Sequence, residues 1–248
     1  MRVYTFGDKR KKSIMLIPGF MSHWDKTFHE IIPLLQKDYY VHVVSTTGLD
    51  EKDRSFYKSI TDENIKIEEY IRKNLNGKIY MIYGTSLGAN TLSHLVSRNN
   101  IQITHAIMDN MKIKHIPVIL AKIKGRMIAT KYYNVIKKGK CPFCMKKKKG
   151  DYEFQYQERF NIGHGGLSFI KRQTIYREYY SPLITKLKKN SDTSTKVHIL
   201  YSTKLGKKQK NKYEKYFSNL EIIENNLRRE EYLLCKPKEL VEIIKNIK

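Results

Sequence analysis

Hydrophobic and polar segments alternate along most of this 248-residue chain. Short runs rich in Ile, Val, Met and Tyr predict seven β-strands, at 3–6, 13–17, 40–45, 78–83, 105–108, 197–201 and 220–223. Continuous apolar runs of this kind are typical of parallel strands that are buried on both faces. Apolar residues at helical spacing predict helices between them, at 24–36, 62–74, 87–98 and 237–247. This order predicts an α/β fold with an open, mostly parallel central sheet flanked by helices.

The alternation stops between Asn110 and Thr195. An apolar stripe at helical spacing opens this region, formed by Ile116, Ile119, Leu120, Ile123 and Met127. Stretches rich in Tyr and Lys follow it. We therefore expect an inserted helical cap at 110–195 and a discontinuous core made of 1–109 and 196–248. No repeat of 20 to 50 residues is visible, which argues against a solenoid.

Positive charge is concentrated in this insertion. The chain has 48 Lys and Arg against 24 Asp and Glu, a formal charge of +24, and 13 basic residues with no acidic one lie between Asp109 and Asp151. Three interpretations of this basic insertion stay open. It is a cap whose apolar stripe covers a functional site while its lysines face water, or it binds an anionic membrane surface, or it binds an anionic ligand. Nucleic acid is an unlikely partner, because no nucleic-acid-binding module is present.

Composition narrows the class of protein further. Hydrophobic residues make up 40% and charged residues 29% of the chain, as in folded soluble proteins. The apolar runs are too short to span a membrane, and no apolar segment follows the basic N-terminus, so we expect a cytoplasmic protein. Three cysteines exclude a disulfide scaffold. Oligomeric state is not predicted.

One motif carries chemistry. A hydrophobic strand runs into Gly84-Thr-Ser86-Leu-Gly88, and an amphipathic helix follows. A serine on such a sharp strand-to-helix turn needs small residues two positions before and after it, so that strand and helix can approach. The turn places the hydroxyl at a helix N-terminus, which favours a developing negative charge.

A second element agrees with this motif. The segment Ile14-Met-Leu-Ile-Pro18-Gly19-Phe20 is a strand that ends in a Pro-Gly loop before a helix. With these two motifs the whole chain resembles the α/β-hydrolase superfamily, especially small bacterial members with a helical cap. The resemblance implies Ser86 as nucleophile, with oxyanion donors from the backbone N–H groups of Leu87 and Phe20, or of Met21. It also implies a serine hydrolase of acyl esters or thioesters that works through an acyl-enzyme and needs no cofactor or metal.

The sequence departs from the family at its other catalytic residues. The family supplies an acid after the strand that follows the cap and a histidine after the last strand. Here the first of these strands is followed by a lysine-rich segment with no carboxylate before Glu214, and no histidine follows the last strand. The expected histidine position falls at Arg228, Arg229, Glu230 and Glu231. Arginine cannot act as the base, because it stays protonated at neutral pH.

Several residues are candidate substitutes. His164, in a glycine-rich loop of the cap, is the leading candidate for the base, and His23 is an alternative. The candidate acid is Asp109, at the end of the strand after the helix that follows Ser86, or else Asp109 caps that strand. Glu230 or Glu231 could act as a carboxylate base, although charge balance with the adjacent arginines explains both.

Two further hypotheses stay open. Without a working base the protein would be a catalytically degenerate member that binds an anionic ligand, a membrane or a protein partner. Cys141 and Cys144 have the spacing of half a zinc site or a redox pair, with Cys235 and His164 as the remaining ligand candidates. Incidental thiols in a basic loop explain this spacing best, so no metal is predicted.

Overall fold

A seven-stranded sheet forms the centre of the molecule. The structure is a computed structural model that describes residues 1–53, 55–138, 167–189, 194–228 and 231–247. The strands are β1 Arg2–Phe6, β2 Ser13–Ile17, β3 Tyr40–Ser45, β4 Lys78–Thr85, β5 Gln102–Asp109, β6 Lys196–Ser202 and β7 Leu220–Asn225. Their order across the sheet is β1-β3-β2-β4-β5-β6-β7. Only the edge strand β1 is antiparallel to its neighbour, so the sheet is mostly parallel, as predicted.

Helices cover both faces of this sheet. In the described ranges they are α1 Trp24–Phe28, α2 Ile32–Leu35, α3 Ile60–Leu75, α4 Leu87–Arg98, α5 Val118–Lys138, α6 Arg172–Ile184, α7 Lys207–Tyr216, α8 Glu231–Cys235 and α9 Pro237–Asn246. Side chains of α3, α4 and α7 share one apolar core with alternate residues of the strands. Side chains of α1, α2, α8 and α9 share the second core on the opposite face.

Two core helices differ from the sequence prediction. The helix predicted at 24–36 is divided into α1 and α2, and Pro33 lies in the first turn of α2. A proline there lacks the N–H that a continuous helix would need, so the chain restarts instead of continuing. The lysine-rich segment after β6, for which no helix was predicted, contains α7, and buried Tyr213 anchors this helix.

The two described helices of the insertion, α5 and α6, pack against each other. Ala121 and Ala129 are buried on the inner face of α5, and a Cβ on Gly125 would lie 3.0 Å from the Tyr176 ring of α6. The predicted apolar stripe points outward instead, and Ile119 is 73% exposed. The expectation that this stripe covers the site is therefore wrong, because small residues let the helices approach closely on the other face. A third apolar cluster joins α5 and α6 to the loop that follows β2, through residues such as Met21.

Candidate active site

Ser86 lies in a strained turn between β4 and α4. Its φ is 53° and its ψ is −110°, a conformation that residues with a side chain rarely adopt. Its N–H donates to the carbonyl of Asp109 at 2.9 Å, and its own carbonyl accepts from the N–H of Asn90 at 3.2 Å. The backbone on both sides of the serine is thus fixed by the neighbouring strand end and by the first turn of the helix.

The two glycines of the motif explain its spacing. A Cβ on Gly84 would lie 2.5 Å from the carbonyl oxygen of Gly88, and a Cβ on Gly88 would lie 2.2 Å from the carbonyl oxygen of Ile17. Both contacts are with backbone atoms, which cannot move aside as a flexible side chain can. The elbow therefore holds β4, α4 and the end of β2 at distances that only glycine permits.

Ser86 opens onto a cavity of about 190 Å³ beneath the cap. Phe20 of the loop that follows β2 and Leu87, the first residue of α4, line this cavity with the serine. The structure therefore brings together the predicted nucleophile and the two residues predicted to donate oxyanion hydrogen bonds. The other lining residues are Asn90, Asn110, Lys112, Glu178, Tyr179, Pro182 and Leu183.

Glu178 of α6 holds the loop that follows β2. The Glu178 carboxyl is fully buried and accepts the N–H of Met21, with Oε2 at 3.2 Å and Oε1 at 3.4 Å. Met21 has a φ of 56°, so this bond holds a backbone conformation that is uncommon for methionine. Because this N–H already donates to the carboxyl, the predicted oxyanion donor in this loop stays Phe20.

Burial raises the pKa of Glu178. Desolvation raises the pKa of its carboxyl well above the usual value, the Met21 N–H opposes this, and the carboxyl of Glu63 adds to it. Sequence reasoning missed Glu178 because it lies in a helix with polar residues on every side and belongs to no motif. The buried face of the helix, which also carries Thr174 and Ser181, becomes visible only in the folded structure.

Asp109 ends β5 next to the elbow. It is 4% exposed, and its Oδ2 accepts a hydrogen bond from the Tyr83 hydroxyl at 2.8 Å. Thr85 pairs with Asp109 across the two strands, so the carboxyl lies at the sheet edge that carries Ser86. This arrangement is compatible with a role as the triad acid, and it is equally compatible with a purely structural role.

None of the described histidines lines the cavity of Ser86. His23 precedes α1 and lies beside Trp24, with ring centroids 5.9 Å apart, and burial lowers its pKa. His105 and His198 bond to each other inside the sheet at 3.2 Å, and His198 also contacts Glu221 at 2.8 Å. The leading candidate for the base, His164, lies outside the described residues, so its role stays a prediction.

The described part of the segment after β7 contains no histidine. The Arg228 N–H and Nε lie 2.6 and 3.4 Å from Oε2 of Glu231, which agrees with the charge-balance interpretation of this glutamate. The Ser202 hydroxyl at the end of β6 donates to the carbonyl of Leu227 at 2.6 Å. Arg229 and Glu230 lie outside the described residues. The roles of Glu230 and Glu231 as candidate bases stay predictions.

The remaining ligand candidates do not form a metal centre in the described part of the chain. Cys235 is exposed at the end of α8, while Cys141 and Cys144 lie outside the described residues. No group of three or more His, Cys, Asp and Glu side chains suited to hold a metal ion occurs among the residues that the structure describes.

Comparison with known proteins places this geometry in a fold family. No family model and no curated protein matches the sequence. Solved structures match over nearly the whole chain. An alpha/beta hydrolase family protein from Desulfitobacterium hafniense has a TM-score of 0.76 at 18% identity, with 99% of each chain covered. The protein has the α/β-hydrolase fold.

Two further solved structures share this fold. A hydrolase from Pseudomonas aeruginosa has a TM-score of 0.77 at 8% identity and covers 98% of this chain and 92% of its own. A lipase-esterase related protein from Clostridium acetobutylicum has a TM-score of 0.71 at 13% identity, with 100% and 99% covered. At these identities the likeness establishes the α/β-hydrolase fold alone.

Proposed function

We propose that this protein is a serine hydrolase that cleaves a small carboxylic ester or thioester through an acyl-enzyme on Ser86. The observation that carries the proposal is the strained Ser86 turn, which opens onto a cavity also lined by Phe20 and Leu87. Strain of this kind costs on the order of 1–3 kcal/mol and persists where the surrounding structure enforces it. Hydrolases and esterases among the solved structures with this fold support the same reaction class.

In the proposed mechanism the Ser86 oxygen attacks the acyl carbon, and the N–H groups of Leu87 and Phe20 stabilise the oxyanion. We assign the base to His164 and the acid to Asp109. The base takes the serine proton and passes it to the leaving alcohol or thiol. Water then attacks the acyl carbon and loses a proton to the same base, and the base returns this proton to the Ser86 oxygen as the carboxylic acid product leaves. The buried carboxylate of Asp109 would orient the base.

A fluorophosphonate probe tests the proposal directly. We expect the protein to be labelled, Ser86→Ala to abolish labelling, and His164→Ala to lower ester turnover by several orders of magnitude. His23→Ala is the matched control and should keep the activity. No labelling between about pH 6 and 9 would contradict the proposal and favour the degenerate, binding-only alternative. Labelling with unchanged turnover in His164→Ala would contradict only the assignment of the base.

The exposed face of α5 supports an additional proposal, contact with an anionic membrane surface. Ile119, Ile123 and Met127 are 73%, 51% and 66% exposed, and the exposed residues Lys122 and Lys124 flank them. An apolar stripe flanked by cations is typical of helices that lie in an anionic lipid interface. No helix in the described residues is long and apolar enough to cross a membrane.

Liposome co-sedimentation tests this contact. We expect binding to vesicles that contain anionic lipid, weaker binding at high salt, and a clear loss in Lys122→Gln/Lys124→Gln. Lys207→Gln/Lys208→Gln removes the same charge from the exposed start of α7 and is the control. Binding that depends neither on lipid charge nor on salt would contradict the electrostatic part of the proposal.

A further inference from the structure

A second cavity of about 230 Å³ adjoins the cavity of Ser86. It lies between α4, the loop 111–117 and the end of α6. Asn90, Lys112 and Pro182 line both cavities. Asn90 is also the residue whose N–H donates to the Ser86 carbonyl, so the two cavities meet within one helical turn of the nucleophile.

The outer part of this second cavity is basic. Lys112, Lys114 and Lys186 line it from two sides, since the first two come from the loop after β5 and the third follows α6. His115 lies beside them. Among the described residues that line this cavity, none is Asp or Glu. Lys114 and Lys186 therefore add positive charge to a wall whose described residues contribute no carboxylate.

The inner part of the cavity is uncharged. Met111, Ile113 and Leu187 contribute apolar walls, and His94 of α4 contributes a ring. Burial lowers the pKa of His94 to about 4, so its imidazole is neutral at physiological pH and offers hydrogen bonds without charge. A ligand that fits this wall has a short apolar body and a negatively charged end group.

The lysine-bearing loop is fixed in place. The side-chain amide of Asn90 donates to the Lys112 carbonyl at 3.2 Å and accepts the Lys112 N–H at 3.3 Å. Further along, Nζ of Lys212 donates to the Ile113 carbonyl at 2.9 Å. The N–H of Ile116 then donates to the Leu183 carbonyl at 3.0 Å. Bonds to α4, α7 and α6 therefore hold the lysines at the cavity instead of leaving them on a loose loop.

We propose that this second cavity is an anion subsite, and that the substrate of Ser86 is an ester or thioester with a carboxylate or phosphate group a short chain away. This inference rests on the proposed hydrolase function, which supplies the reaction at Ser86. The second cavity supplies the argument for the class of substrate. The ester carbonyl would lie between Ser86 and Phe20, and the charged group would reach the lysines past Asn90. A neutral ester would lack the second interaction.

A matched pair of esters tests the subsite. The probes are para-nitrophenyl butyrate, which is neutral, and mono-para-nitrophenyl glutarate, which carries a free carboxylate. The readout is the ratio of kcat/KM for the charged ester to that for the neutral ester. We expect the ratio to exceed one, to fall with salt, and to fall roughly fivefold to tenfold in Lys114→Gln/Lys186→Gln, because each screened charge contributes a modest factor. The control Lys207→Gln/Lys208→Gln should keep the ratio.

The outcomes separate the subsite from the hydrolase proposal. An unchanged ratio in Lys114→Gln/Lys186→Gln overturns the subsite, while hydrolysis that depends on Ser86 still supports the enzyme. If neither ester is hydrolysed, the enzyme proposal fails, and calorimetry with glutarate and with inorganic phosphate then decides on the subsite. Binding that the double variant weakens supports the anion site, and absence of binding overturns it. Competition by glutarate but not phosphate identifies a carboxylate ligand, and the reverse identifies a phosphate.

Discussion

The elbow at Ser86 and the cap both depend on glycine at a close contact, but the contacts differ in kind. At the elbow, a Cβ on Gly88 would meet the backbone oxygen of Ile17 at 2.2 Å. In the cap, a Cβ on Gly125 would meet the ring of Tyr176 at 3.0 Å. Backbone inside a sheet cannot move without breaking the hydrogen bonds to its neighbouring strands. An aromatic side chain on a helix can shift by a few tenths of an ångström.

This difference teaches where the fold is rigid and where it is adaptable. The elbow geometry is enforced by backbone contacts, so few sequences can form it. The packing of α5 on α6 is enforced by side chains, so substitutions there can be absorbed. The same division applies to the site, since the core supplies Ser86 and Leu87 while the cap supplies Glu178 and Tyr179. We expect the chemistry to reside in the core and the choice of substrate to depend on the cap.

Substitution of the elbow glycine should have the largest effect. Gly88→Ala places a methyl group inside a backbone contact, and we expect it to lower the free energy of unfolding by at least about 3 kcal/mol or to prevent folding. Gly125→Ala is the control. There the helix gains up to about 1 kcal/mol of propensity, which offsets the tight contact with Tyr176, so the net change should stay within about 1 kcal/mol. Urea unfolding of both variants provides the measurement. Equal losses of unfolding free energy in Gly88→Ala and Gly125→Ala would contradict the view that the elbow is the more rigid of the two contacts.

Glu178, whose carboxyl accepts the Met21 N–H, is expected to make the free energy of unfolding depend on pH. The raised pKa of Glu178 means that the folded protein binds this proton more tightly than the unfolded chain does. Its contribution to stability is therefore complete below the ordinary carboxyl pKa and is lost as the pH rises through the folded pKa. Glu178→Gln keeps an acceptor for the Met21 N–H and has no proton to lose.

We therefore expect Glu178→Gln to gain stability relative to the parent protein between about pH 5 and about pH 8, by about 1.4 kcal/mol for each unit by which the pKa is raised. Unfolding free energies at the two pH values measure the gain. Glu63, whose pKa burial also raises, is present in both proteins, so its contribution largely cancels. Parallel pH profiles would show that Glu178 does not titrate differently in the folded state.

The sequence alone predicted the core well and the cap poorly, for physical reasons. Buried parallel strands such as β2 and β4 are continuous apolar runs, and the motif from Gly84 to Gly88 has steric causes that the residues themselves reveal. In α5 the pattern was misleading, because small residues such as Ala121 form the packed face while the larger apolar residues point outward. Glu178 could not be found, since its burial depends on the docking of α6 against a loop 157 positions away in sequence.

The smallest expected effect concerns the strain at Ser86 itself. Glycine tolerates a φ of 53° with a ψ of −110°, while alanine keeps the Cβ that makes this conformation costly. We therefore expect Ser86→Gly to be more stable than Ser86→Ala by about 1 kcal/mol, a difference of roughly 2–4 °C in Tm, although both variants lose the nucleophile. Thermal unfolding of the two variants side by side measures this. In a regular helix or strand, a glycine variant is usually less stable than the alanine variant. A more stable Ser86→Gly would therefore identify a turn strained for function. If alanine is the more stable variant, the elbow holds no such strain, and the rigidity assigned to it must come from the glycine contacts alone.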